Sequence, residues 1–206
     1  MANALYRGSV VLLSSHLERY VESLIVEAVD AINSVNPAVS SLPEALRMAQ
    51  IEQSLRVAFE TKNVATRIGA LKSIVQDMSW FWEDTGTCNR LRGGPLIDGF
   101  DNPLPRRINR LFESIGVGGV VGRAVGLDGS TDRGIIEVKV EELVQKRNAI
   151  AHTGMTTDLT QEDVMFYMRC SRKLVRGIDI IVGGQLQGIT LGWPWTLSRS
   201  HSSVGV

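Results

Sequence analysis

The sequence predicts an all-α protein, and three observations carry that prediction. Apolar residues recur at three- and four-residue spacing over six stretches. No stretch shows the alternating pattern of a half-buried strand. The breaks between the stretches hold helix caps and terminators, such as Asn36-Pro37, Ser40-Ser41-Leu42-Pro43 and Gly183-Gly184. The expected architecture is a bundle of about five to six helices with a long central loop. At 206 residues the chain suits one domain, placed at 1–190, followed by a tail at 191–206.

The first helix is expected over 9–33. Val10, Leu13, Leu17, Tyr20, Val21, Leu24, Ile25 and Ala28 line one face, and Pro37 ends it by pushing Asn36 out of helical geometry. Ser40-Ser41-Leu42-Pro43-Glu44 then opens a second helix reaching about 63, with a serine cap and a proline in the first turn. A third covers 65–84, with Ile68, Leu71, Ile74, Val75, Met78, Phe81 and Trp82 on one side. Residues 86–102 read as a loop, because Gly93-Gly94-Pro95 and Gly99 break any period. Its length makes it a candidate functional loop or lid.

A fourth helix follows from Pro103 to Pro105 through Ile115, and 116–134 is glycine-rich and irregular. A fifth spans 135–151 on a stripe of Ile136, Val140, Leu143, Val144 and Ile150, with Gly154 as its terminator. The sixth opens after Asp158 and Thr160, carries Glu162 and Asp163 in its first turn, and ends at Gly183-Gly184. In the tail, Trp193-Pro194-Trp195 is expected to dock on the body and 199–206 to be disordered.

Composition narrows the function. Hydrophobic residues at 44% and charged residues at 21% are ordinary for a globular chain with a core. Lys plus Arg and Asp plus Glu are 22 each, so no global basic field exists and any nucleic-acid contact must be local. Arg90, Arg92, Arg106, Arg107, Arg110, Arg123 and Arg133 do concentrate in the middle third, with Arg147 just beyond it. Two cysteines, Cys88 and Cys170, exclude a disulfide scaffold, and no Cys/His cluster suggests zinc. Gly116-Val117-Gly118-Gly119 with Gly122 misses a dinucleotide loop, since position 121 is Val and no strand precedes it. No cofactor and no metal are expected. No run of 18 uncharged apolar residues and no leader pattern is present, so the expected setting is cytoplasmic, without a membrane.

One segment concentrates the chemistry: Lys146-Arg147-Asn148-Ala149-Ile150-Ala151-His152-Thr153-Gly154. Asn148 and His152 are four apart and share a helix face, so the amide could orient the imidazole. Arg147 lies roughly 140° round from His152, flanking a groove with it. Arginine is a permanent bidentate partner for phosphate, and histidine moves protons near neutral pH. Together they suffice for RNA cleavage: an imidazole takes the 2′-hydroxyl proton while arginine stabilises the charge on the phosphorane. One histidine cannot be base and acid at once; a two-fold dimer supplies two copies of each group. The same residues also fit a histidine stabilised at a helix C-terminus beside a surface Arg-Asn pair, and chemistry alone leaves both open.

Arg147-Asn148-Ala149-Ile150-Ala151-His152 resembles the RNxxAH form of the Rx4–6H motif of HEPN domains, at the end of a late helix as in that superfamily. Ser15-His16-Leu17-Glu18-Arg19-Tyr20-Val21-Glu22 resembles the first helix of its RiboL-PSP-HEPN branch. Pro105-Arg106-Arg107-Ile108-Asn109-Arg110-Leu111-Phe112 with Ile115-Gly116-Val117 resembles that branch's middle. The likeness spans about 9–182. It implies a helical bundle, usually a homodimer with facing motif helices, and metal-independent endoribonuclease activity, often in toxin–antitoxin or antiviral systems. Arg147 and His152 are then catalytic, and Asn148 is the motif's polar second residue. The family's glycine after the histidine is here Thr153. Some HEPN domains only bind nucleotide, RNA or a protein partner.

Other groups are assigned by position. Arg106, Arg107, Arg110 and Lys146 are expected to follow the backbone of a single-stranded or looped RNA. Glu18 and Glu22 share a face that can border the site but reads first as solvated or ion-paired. His16 is expected to be structural among apolar neighbours. Trp193 and Trp195 read as anchors of the tail rather than base-stacking platforms.

Overall fold

The computed structural model describes residues 2–78, 86–88, 90–127, 133–153 and 158–192. Among them are eight α-helices: α1 (Ala2–Val35), α2 (Glu44–Glu60), α3 (Val64–Met78), α4 (Gly94–Ile97), α5 (Pro105–Glu113), α6 (Val120–Gly126), α7 (Arg133–Thr153) and α8 (Gln161–Thr190). A 3-10 turn covers Val39–Ser41. The only extended pairing among the described residues is an isolated antiparallel bridge between Ala38 and Thr87. The chain is all-α.

Two compact units are defined. The first comprises α1 up to Leu24, Gly99–Phe112 and Val117–Val182. Its core includes a cluster of Val10, Leu143, Leu159, Val164 and Tyr167, with Tyr6, Leu13 and Ile150 packed against it. These side chains are the apolar stripes of α1, α7 and the start of α8, which is how three-residue periodicity becomes one interior. Tyr20 on α1 donates to the Asp179 carboxylate at 2.7 Å and to the Val175 carbonyl at 3.2 Å on α8. Burial of Asp179 pushes its carboxyl above the usual range, and the Tyr20 hydroxyl opposes that shift. Gly177 lets α8 approach α6 closely: a Cβ there would lie 2.7 Å from that of Ala124. Thr160 and Asp163 form a reciprocal cap at the start of α8, as the acidic first turn predicted.

The second unit comprises Ile25–Asp98, Glu113–Gly116 and the chain from Gly183 on. Here two amides, the half-buried Asn33 and the buried Gln50, clasp the segment after Cys88. Asn33 exchanges hydrogen bonds with the backbone of Leu91, at 2.9 and 3.0 Å. Gln50 does the same with Arg92, at 3.0 and 2.8 Å. Gly93 has no room for a side chain, since a Cβ would meet the Val26 backbone at 2.9 Å.

Several boundaries differ from expectation. The stretch expected as a loop or lid contains α4, and its start is pinned by the clasps and by the bridge to Ala38. Periodicity cannot register a one-turn helix. The glycine-rich 116–134 stretch holds α6, whose first turn is satisfied by Asn109: its side-chain oxygen accepts the Val121 N–H at 2.9 Å. Gly183-Gly184 does not end the last helix, which continues to Thr190; Leu186, fully buried beyond the glycines, offsets their low propensity. The first helix starts at Ala2 rather than near Ser9. The end of the third expected helix and Trp193-Pro194-Trp195 lie outside the described residues.

Candidate active site at the end of the seventh helix

Helix α7 buries Ile136, Val140, Leu143 and Val144. Arg147 is the next position of that stripe, three and four residues on from Val144 and Leu143. Its guanidinium is therefore carried to the inner side of the helix, where the side chain is 23% exposed. A charge so placed needs acceptors, and three groups supply them. Nη1 donates to Asn102 Oδ1 at 3.1 Å and to Asn148 Oδ1 at 3.0 Å. Nη2 lies 3.7 Å from Glu18 Oε2. That carboxylate oxygen is itself buried and accepts no hydrogen bond. His152, five residues on, is exposed in the last turn.

Asn102 sits just before α5 in a left-handed conformation, φ 54°. Asparagine tolerates that region better than most residues. Its neighbour Asp101 holds Arg107 through both its carboxylate and its backbone carbonyl. Residues 101 and 102 thus anchor a guanidinium from α5 and one from α7. Arg106 and Arg110 are exposed one turn apart on α5, opposite its buried face of Ile108, Leu111 and Phe112.

Lys146 belongs to a different cluster. Its ammonium is 3.2 Å from Glu142 Oε1 and 5.7 Å from the centre of the Tyr167 ring. Glu142 also accepts from Lys139 at 2.7 Å and from the Tyr167 hydroxyl at 2.7 Å. Burial works to raise the Glu142 carboxyl, but bonds from Lys139, Tyr167 and Lys146 outweigh it and take it down to about 2. Burial first, and then the bond to Glu142, push the Tyr167 phenol well above its ordinary value.

The structure thus joins Arg147 to Asn148, as adjacency allows, and adds Glu18 and Asn102, which sequence reasoning did not assign to the site. Glu18 had one signal, its position on the face shared with Glu22. Asn102 had none, since a contact across 45 positions has no periodic trace. Asn148 turns its oxygen to Arg147. His16 is exposed, not structural; it falls between the buried positions Ser14 and Leu17.

The RiboL-PSP-HEPN family model matches residues 2–183, and the chain belongs to that family. No curated protein and no solved structure matches it. Among the described residues, no helix is long and apolar enough to cross a membrane.

Proposed function

We propose that this HEPN module is a metal-independent endoribonuclease acting on single-stranded or looped RNA, with a site shared by two copies of the chain. The observation that supports the reading best is the grip on Arg147. Two neutral asparagine oxygens fix Nη1, and Nη2, 3.7 Å from the Glu18 carboxylate, is the donor that a phosphate would compete for. His152 stands exposed on the same helix end.

In this reading the imidazole of His152 takes the 2′-hydroxyl proton. The 2′-oxygen bonds to phosphorus, and the bond from phosphorus to the 5′-oxygen breaks. The products are a 2′,3′-cyclic phosphate and a 5′-hydroxyl. The proton for the leaving oxygen comes from the protonated His152 of the second copy. Arg147 stabilises the phosphorane charge, and Asn148 positions Arg147. Arg106, Arg107 and Arg110 contact the RNA backbone, with Lys146 as a peripheral contact. We place the activity in a toxin–antitoxin or antiviral setting, in the cytoplasm, with an antitoxin or defence protein as a further partner and no cofactor.

The experiment is cleavage of a labelled single-stranded RNA in excess chelator, by wild type, His152→Ala and Arg147→Ala. Expected are cleavage by wild type, loss of at least 100-fold in each variant, about what general acid–base groups supply, and an unchanged dimer in sedimentation. Cleavage that survives His152→Ala removes the catalytic assignment. No cleavage by wild type favours a second reading, a HEPN module that binds nucleotide, RNA or a protein without reacting. That reading draws on Glu18, whose carboxylate beside Arg147 competes with a phosphate for the guanidinium.

A further inference from the structure

Helix α3 belongs to the second unit and does not bury the face its sequence sets aside for burial. Val64, Ile68, Leu71 and Val75 follow each other at spacings of four, three and four. That is about three turns of a coiled-coil seam, with Ile68 and Val75 at one core position of the heptad and Val64 and Leu71 at the other. Val64 is 65% exposed, Ile68 49% and Val75 69%, and Leu71 is only half-buried. The neighbouring side, with Arg67, Ala70 and Ile74, is half-buried, and α3 packs on α2. Ile68, Leu71, Lys72, Val75 and Gln76 line an open groove along the exposed seam. A contiguous apolar strip of this kind on a folded surface marks an interaction site.

The charges beside the seam decide what fits. Arg67 and Lys72 occupy the two flanking heptad positions, and residues 64–76 contain no Asp or Glu. Arg67 is held in place, donating from Nε and Nη2 to the Thr61 carbonyl at 3.0 and 2.7 Å. A parallel pairing of two copies sets Arg67 of one helix against Lys72 of the other, like charges at the positions that choose partners. An antiparallel pairing gives neither cation an acid at a flanking position, since the one acidic residue of α3, Asp77, falls at an outer heptad position. Self-association along this seam is disfavoured, and a helix with carboxylates at its own flanking positions is favoured.

We propose that α3 is the docking strip for an amphipathic helix of another polypeptide, one with an apolar heptad seam flanked by Glu or Asp. The seam gives affinity by burying Val64, Ile68, Leu71 and Val75, and Arg67 and Lys72 select the acidic partner. This surface is independent of the ribonuclease reading.

The test uses the full chain and two labelled designed helices of about three heptads, identical except for Glu or Lys at every flanking position. Fluorescence anisotropy is expected to show the Glu helix binding at least tenfold more tightly than the Lys helix. Val75→Glu is expected to abolish binding, and Lys72→Glu to reverse the preference. Both positions are exposed, so circular dichroism should show both variants folded. His152→Ala should leave helix binding unchanged, which separates this surface from the catalytic one. Equal binding of the two helices, no binding of either, or binding that survives Val75→Glu overturns the proposal. A wild-type dimer that Val75→Glu splits also overturns it, and assigns the strip to a second copy instead.

Discussion

Arg147 of α7 donates from Nη1 to the side-chain oxygen of Asn102 at 3.1 Å, a bond between residues 45 positions apart. The acceptor is held by a left-handed backbone, φ 54°, so side chain and turn depend on each other. Asn102→Gly keeps the turn and removes the bond; Asn102→Ala removes both. A hydrogen bond to a charged group contributes about 1.5–3 kcal/mol when buried, and here the guanidinium is partly exposed. Expected losses in urea unfolding are about 1 kcal/mol for Asn102→Gly and about 2 kcal/mol for Asn102→Ala. An equal loss in both variants would place the whole effect in the side-chain bond. RNA cleavage should fall in both, because Arg147 loses its orientation.

Glu18 brings a negative charge to within 3.7 Å of the guanidinium. A phosphate bound there would meet that charge as a repulsion. Glu18→Gln is therefore expected to tighten RNA binding by several-fold and to steepen its salt dependence, where Arg147→Ala flattens it. Stability should change by less than about 1 kcal/mol, because both side chains are about a quarter exposed. Filter binding across a salt series checks the first outcome and thermal unfolding the second. Weaker RNA binding in Glu18→Gln would show that the carboxylate positions Arg147 rather than competing with substrate.

The bond from Tyr167 to Glu142 gives a pH-dependent prediction. The Glu142 carboxyl sits at about 2 in the folded chain, below its ordinary 4.5. A depressed carboxyl contributes stability that is present above about 4.5 and is lost as pH falls toward 2. Tyr167→Phe removes one of its donors and leaves Lys139 and Lys146. Expected is a loss of about 1–2 kcal/mol at pH 7, shrinking as pH drops through that window. Denaturant unfolding at pH 7, 4 and 3 follows it, and a loss that stays constant would rule out the carboxylate as its source.

Gly177→Ala sets two effects against each other. Alanine favours a helix over glycine by about 1 kcal/mol. The added Cβ would lie 2.7 Å from that of Ala124 and closer still to the Ala124 carbonyl oxygen. Backbone in α6 cannot yield as a flexible side chain would, and overpacking costs about 1–3 kcal/mol. The clash should win, with a lower Tm; a rise in Tm would mean that α6 shifts without cost.

The helices that pack in the first unit were legible because each has one apolar stripe and one set of caps. Val10, Leu17 and Val21 on α1 and Leu143 and Val144 on α7 were named from spacing and are buried. The same spacing misled at α3. Periodicity shows that Ile68 and Val75 want cover, but not whether this chain provides it. The short helices α4 and α6 were missed because four to seven residues are too few to repeat.

Sequence alone determined the all-α class and the placing of Arg147, Asn148 and His152 at one helix end, which rest on local spacing, and the family, which rests on the resemblance of its motifs. Tertiary structure decided that Arg147 turns inward while His152 stays out, and that Glu18 and Asn102 complete its surroundings. It also decided that Lys146 is matched by Glu142 and Tyr167 rather than left beside Arg147. The physical reason is the same in each case. A half-buried charge takes the acceptors that folding brings within reach, and Glu18, Asn102 and Tyr167 come from segments far away in the chain, where no local pattern records them.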